Sequence, residues 1–123
     1  MKITERGWGG HYICAPDCLF RRNTLLEHNG IRIIVSTVGA YRYEGKIERI
    51  GVDRYYETMV FHAKWNDGYW DADVYKQVAN IESKCYVDHC ERHADQEAND
   101  MHEAVVNEIN NRMLEGDKFD DCY

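Results

Sequence analysis

The stretch Arg54–Tyr75, RYYETMVFHAKWNDGYWDADVY, decides the fold. In Arg54–Trp65 alternate side chains point to opposite sides of a strand. Tyr55, Glu57, Met59, Phe61 and Ala63 share one face, and Tyr56, Thr58, Val60 and His62 share the other. Both sets are mostly apolar, which places the strand centrally in a sheet, with cover on part of each side. Asn66-Asp67-Gly68 is a hairpin signal. Tyr69–Tyr75 then returns as an alternating strand, with Tyr69, Asp71 and Asp73 opposite Trp70, Ala72 and Val74.

Upstream, Ile31–Tyr43, IRIIVSTVGAYRY, is rich in β-branched residues and suits a second strand near the middle of the sheet, with Gly39 marking a bulge or bend. Asn29-Gly30 before it is a tight-turn signal. A short piece, Ile47–Ile50, lies between two further turns. The opening segment, Arg6–Glu27 (RGWGGHYICAPDCLFRRNTLLE), holds a Gly-flanked Trp8, two cysteines, the only proline and the adjacent pair Arg21 and Arg22. His11–Ile13 reads as a short strand, and Ala15-Pro16-Asp17 breaks it because proline lacks a ladder donor.

Downstream, periodicity fades over Lys76–His93, which predicts a long loop. Asp95–Leu114 is the one helical pattern: Met101, Val105, Ile109 and Met113 recur at spacing four, and Ala98, Ala104 and Leu114 widen the stripe. Asp95 is placed to cap its start and Gly116 its end. The expected fold is therefore α+β: an antiparallel sheet of four to five strands followed by a C-terminal amphipathic helix. Residues 1–116 form a single domain, and the acidic tail 117–123, DKFDDCY, is expected to fray.

The length of 123 residues allows one core and no second domain. No apolar run approaches a membrane span and no signal peptide is evident, so the expectation is a cytoplasmic protein with reduced thiols and no membrane partner. Residues 1–78 carry 11 Lys/Arg against 10 Asp/Glu, a net of +1, whereas residues 79–123 carry 4 against 12, a net of −8. An acidic chain is a poor partner for DNA or RNA, whose binding depends on neutralising phosphates. A small anionic ligand needs only a few placed cations, and Arg21, Arg22, Arg42, Arg49 and Arg54 lie in the neutral part.

Three constellations carry chemistry. Cys14-x3-Cys18 and Cys85-x4-Cys90, with His11, His89 and His93 nearby, could staple a zinc-bound interaction module. Neither pair has the common two-residue gap, and buried cysteine as a small hydrophobe accounts for them more simply, so neither a metal nor another cofactor is expected. For catalysis there is no nucleophile elbow, carboxylate pair or metalloprotease helix. His102 is the available base and would be the centre of a nucleotide-cleaving alternative, yet a solvated helix histidine is the plainer reading, and no enzyme activity is expected. For binding, nine Tyr, three Trp and three Phe accompany the arginines, and the helix start at Asp95–Asn99 would offer N–H donors to an anion. A Tyr-rich core explains the same aromatics without a ligand.

The blocks RGWGGHYICAPDCLFRRNTLLE, IRIIVSTVG, RYYETMVFHA, YWDADV and ANDMHE occur in the order seen in a family of small phage proteins, the anti-Thoeris sponges of the first type, which this chain resembles over most of its length. It departs from them in Lys76–His93, where it carries its own Cys/His-rich loop. The resemblance implies a viral anti-defence protein that is not an enzyme. Such a protein binds the glyco-cyclic ADP-ribose signal of a TIR-domain sensor, keeps it intact and so blocks Thoeris immunity in the cytoplasm of the infected bacterium. It implies a homodimer or higher oligomer, with ligand held at the subunit interface, and cyclic trinucleotides as a further ligand class in some members. Carried onto this sequence, Tyr86 is the candidate for stacking on the base, Asn99 and His102 are the helix-side contacts, and Arg21, Arg22 and Arg54 are assigned to the pyrophosphate.

Overall fold

The computed structural model describes residues 1–8, 10–12, 15–48, 50, 56–83 and 91–120, with backbone alone at 41–43, 47, 48, 82, 83 and 91–95. Strands β1 (Lys2–Glu5), β2 (Arg21–His28), β3 (Ile31–Val38), β6 (Tyr56–Asn66) and β7 (Tyr69–Ser83) form an antiparallel sheet in the order β1-β2-β3-β6-β7. A short pair, β4 (Tyr41–Tyr43) and β5 (Lys46–Glu48), stands apart, a 3-10 turn spans Ala15–Asp17, and a helix, α1 (Glu91–Leu114), closes the order. The α+β layout is as the sequence predicts; β3 is the middle strand, and β6 lies inside the sheet between β3 and the edge strand β7.

The turns form where their residues allow. Asn29 and Gly30 adopt φ of 50° and 78°, and Asp67 and Gly68 adopt 45° and 118°, which glycine and short polar side chains tolerate best. Because β2 and β3 pair Leu26 with Ile33 and Thr24 with Val35, and β3 pairs Val35 with Val60, these side chains share one face. That face buries Leu26, Ile33, Val35 and Val60 under Val105, Val106, Ile109 and Met113 of α1. Taking one such aliphatic side chain out of water is worth about 1.5–3 kcal/mol. The stripe of Val105, Ile109 and Met113, with Ala98, thus lies inward on its own chain, whereas Ala104 and Leu114, expected to widen it, are exposed on the outer side with Asn99, Asp100, Glu103 and Glu108.

The second face carries Leu25, Ile34, Phe61 and Ala72, with Met59, Ala63 and Trp70 packed against them. Its cover comes in part from the β6–β7 hairpin and in part from the opening segment, whose His11 ring centre lies 5.9 Å from that of Phe61. Phe61 is opposite Gln77 but Ala63 is opposite Ala72, so β7 bulges over residues 73–76. The Asp73 carboxylate accepts the Tyr75 N–H at 3.1 Å inside this bulge. The bend brings Trp70, at the tip of one sheet edge, to Arg6 at the other: an Arg6 guanidinium nitrogen donates to the Trp70 carbonyl. The Arg32 guanidinium stacks 4.2 Å from the Trp70 ring centre.

Several boundaries differ from the sequence reading, each for a local reason. The chain does not run on as one strand to Tyr43: it leaves the sheet after Val38, and Gly39, instead of bulging, approaches so closely that a Cβ there would lie 2.8 Å from the Phe20 Cβ. His11 and Tyr12 are outside any strand. β7 continues to Ser83 through part of the expected loop, because Val78 is buried and Ala79 and Ile81 pack on the core while polar residues occupy this sheet edge. The helix begins at Glu91, about a turn before Asp95, so the amides of Asp95–Asn99 lie inside it and are not a free helix start. Its C-terminus follows expectation: Gly116 has φ 91°, its N–H donates to the Met113 carbonyl, and that of Asp117 to the Arg112 carbonyl. The tail does not fray at once, since Phe119 is buried in the core and its carbonyl accepts from His62 at 2.7 Å. Among the described residues no helix is long and apolar enough to cross a membrane.

Candidate ligand-binding site

Two polar knots are set into the sheet, one on each face. On the helix face, His102 of α1 is fully buried between strands. Its Nε2 lies 2.7 Å from the Thr24 hydroxyl of β2 and its Nδ1 2.7 Å from the Thr37 hydroxyl of β3, which itself lies 2.7 Å from that of Thr58 on β6. Burial, reinforced by the nearby Arg22 charge, pushes the imidazole pKa down to about 4, so the ring is neutral at physiological pH.

Above this knot, β2 projects Arg22 towards solvent at the edge of α1. Arg22 donates to the Glu5 carboxylate through Nε (3.2 Å) and Nη2 (2.9 Å), a bidentate pairing of β2 with β1. Its Nη1 reaches the Asn99 Oδ1 at 3.0 Å and the Glu103 carboxylate at 2.6 Å. Thr24 completes the ring by donating to Glu5 at 2.6 Å. Burial alone would raise the Glu5 pKa, but the hydrogen bonds from Arg22 and Thr24 outweigh it and hold the carboxylate ionised. Burial likewise opposes the Arg22 charge, and Glu5 and Glu103 overcome it, so the guanidinium pKa rises above its usual value.

On the opposite face, His11 packs its Nδ1 2.9 Å from the Ser36 hydroxyl, and its Nε2 lies 3.2 Å from the Glu57 carboxylate, outside hydrogen-bonding alignment. The Gly10 N–H donates to Ser36 at 2.9 Å. Serine, histidine and glutamate in contact resemble a nucleophile with its base. Ser36 is completely buried, however, and its oxygen faces the Gly10 backbone, so a substrate has no line of approach. This knot fastens the opening segment to the sheet. Beside it an open cleft of about 490 Å³ is bordered by Trp8, Tyr12, Pro16 and Tyr69.

The residues named from the sequence divide accordingly. Arg22, Asn99 and His102 come together on the helix side. Arg21, one position from Arg22 in β2, points to the other face, where it donates to the Pro16 carbonyl. The two arginines therefore cannot clamp one pyrophosphate in a single protomer. Arg54 and Tyr86 lie outside the described residues, as do Cys14, Cys85, Cys90 and His89; Cys18 is buried beside Ala15, Val38 and Ile50. His102 has no exposed surface and both ring nitrogens are occupied, so neither nitrogen is free to meet a ligand in this arrangement. Glu5, Thr24 and Thr37 were missed by sequence reasoning, whereas Glu103, which helical spacing sets on one side of the helix with Asn99 and His102, does join Asn99 on Arg22. Only a strand pairing β1 with β2 could have exposed Glu5, and Lys2–Glu5 is too short to give a period. Among the described residues no group of three or more His, Cys, Asp or Glu side chains is placed to hold a metal.

The surface around Asn99 is well ordered in chemical terms. Its Oδ1 is committed to Arg22, so the amide nitrogen turns outward as a donor. Glu5, Glu103 and Glu97, whose carboxylate accepts from the Tyr56 hydroxyl at 3.0 Å, make the neighbourhood acidic apart from Arg22. The Asn99 amide nitrogen can donate to an acceptor atom, the carboxylates around it can accept only from hydroxyl or amino groups, and an anion bound beside them would need cations from elsewhere. No protein-family model, no curated protein and no solved structure matches this chain.

Proposed function

We propose that this protein is a phage anti-defence sponge. It binds the glyco-cyclic ADP-ribose signal of a TIR-domain sensor in the cytoplasm of the infected host, holds it intact and returns it unchanged, acting as a homodimer or larger assembly. The observation that carries this reading is the convergence of the family-like blocks. RRNT, VSTVG, YETM and ANDMHE, spread over some eighty residues, meet around Arg22, Asn99 and His102 through the contacts of Thr24, Thr37 and Thr58. A sponge needs a rigid donor surface and no accessible nucleophile. A preorganised Asn99 amide beside a guanidinium meets the first need, since groups fixed before binding cost less entropy on association. The phosphates fall to Arg54 or to the second subunit of the assembly, because Arg22 is already neutralised by Glu5 and Glu103.

The test is to incubate the protein with glyco-cyclic ADP-ribose and assay the free signal. The protein is then heat-denatured and the signal assayed again. Depletion followed by full return is the expected result. Permanent loss would establish a cleaving enzyme, and no depletion at either stage would remove the sponge reading in favour of a protein-binding module.

A further inference from the structure

We infer that Thr24 and His102 are positioning residues: with Glu5 they fix the Arg22 guanidinium, and through it the outward orientation of the Asn99 amide that meets the ligand. The inference rests on the sponge reading for its ligand, but its structural core does not.

Hydrogen-bond direction links these residues. An ionised carboxylate only accepts, so the Thr24 hydroxyl must spend its single proton on Glu5. The Thr24 oxygen is then an acceptor for its other neighbour, His102 Nε2, which must carry a hydrogen. A neutral imidazole has one N–H, which leaves Nδ1 as an acceptor, so Thr37 donates to Nδ1 and Thr58 donates to Thr37. The chain runs one way, from Thr58 through Thr37, His102 and Thr24 to Glu5, and every buried member is satisfied. Its end is the carboxylate that grips two nitrogens of Arg22. Arg22 spends another on Asn99 Oδ1, and that contact decides which way the Asn99 amide is turned. A long arginine on an open surface would otherwise sample many rotamers. Thr24 thus reaches the solvent-facing amide through three side-chain contacts, and the fully buried His102 through four.

The experiment uses the full chain in two measurements. Nitrogen-15 NMR of the ligand-free protein reads the His102 tautomer and the exchange of the Arg22 Nε–H. The expected result is hydrogen on Nε2 alone and a protected Nε–H, which Thr24→Val exposes and Thr24→Ser restores. The opposite tautomer, or an Arg22 signal unchanged in Thr24→Val, overturns the inference whether or not any ligand binds. Titration with glyco-cyclic ADP-ribose then compares Thr24→Val in the wild-type and Arg22→Ala backgrounds. Thr24→Val should weaken binding about tenfold in the first, on the scale of one lost hydrogen bond, and have no effect in the second, because Thr24 acts through Arg22. Equal losses in both backgrounds would make Thr24 a structural residue only and overturn the inference. If the wild type itself does not bind the probe, the sponge reading fails, and the NMR result alone decides the positioning role.

Discussion

Protonating His102 should unfasten the protein, and the size of the effect follows from its burial. In the unfolded chain the imidazole takes up a proton near its ordinary value of 6.5, whereas in the folded chain it resists until about pH 4. The unfolded state therefore binds more protons between these values, and stability must fall as pH drops through that window. Above pH 6.5 the contribution is fully present, and below about pH 4 it is gone. At about 1.4 kcal/mol per pH unit the whole loss is about 3 kcal/mol, a large share of the 5–15 kcal/mol that holds a typical domain together. Protonation would also put a second donor on the ring where Thr37 already donates. The assay is urea unfolding at pH 7, 5.5 and 4, for wild type and for His102→Gln. Glutamine offers one acceptor and one donor but has no proton to take up in this range. Wild type should lose about 3 kcal/mol more than the variant between pH 7 and 4. Parallel curves for the two proteins would refute the claim that a buried neutral His102 is part of the fold.

Other expectations follow from single contacts. Gly10→Ala would set a Cβ 2.8 Å from the Asn23 amide nitrogen and 3.2 Å from the Ser36 hydroxyl, so chemical denaturation should show a loss of about 1–3 kcal/mol. Arg6→Lys gives up the paired contacts to Asn23 Oδ1, and hydrogen exchange should then speed up at the β6–β7 hairpin tip. Asn99→Ala should leave the melting temperature within a few degrees, because the side chain is exposed, while glyco-cyclic ADP-ribose affinity falls about three- to tenfold by titration. Arg21→Ala should change that affinity far less than Arg22→Ala, since the sheet separates Arg21 from Asn99; equal effects would place the ligand on the other face.

Much of the fold was legible because long strands with two apolar faces and Asn-Gly or Asp-Gly turns leave little choice of register. β6 shows this most clearly: the faces read from alternation, Thr58, Val60 and His62 against Glu57, Met59 and Phe61, are those the sheet uses. What escaped was set by tertiary contact. β1 is four residues long and β7 beyond Lys76 is polar at an edge, so neither carries a periodic signal. The helix stripe was visible, but His102 looked like a surface histidine, because its neighbours in space, Thr24, Thr37 and Thr58, are scattered through three strands. Arg21 and Arg22 looked like a clamp in sequence, and the two-residue period of a strand sends them to opposite faces.

In the proposed function, Asn99 and Arg22 mark the place where the signal is held. The most direct measurement is an NMR titration of the ligand-free protein with glyco-cyclic ADP-ribose, following the Asn99 side-chain amide and the Arg22 Nε–H. Saturable shifts of both, with the signal recovered intact afterwards, are predicted. Saturable binding that leaves both unmoved, or no binding at all, would contradict it.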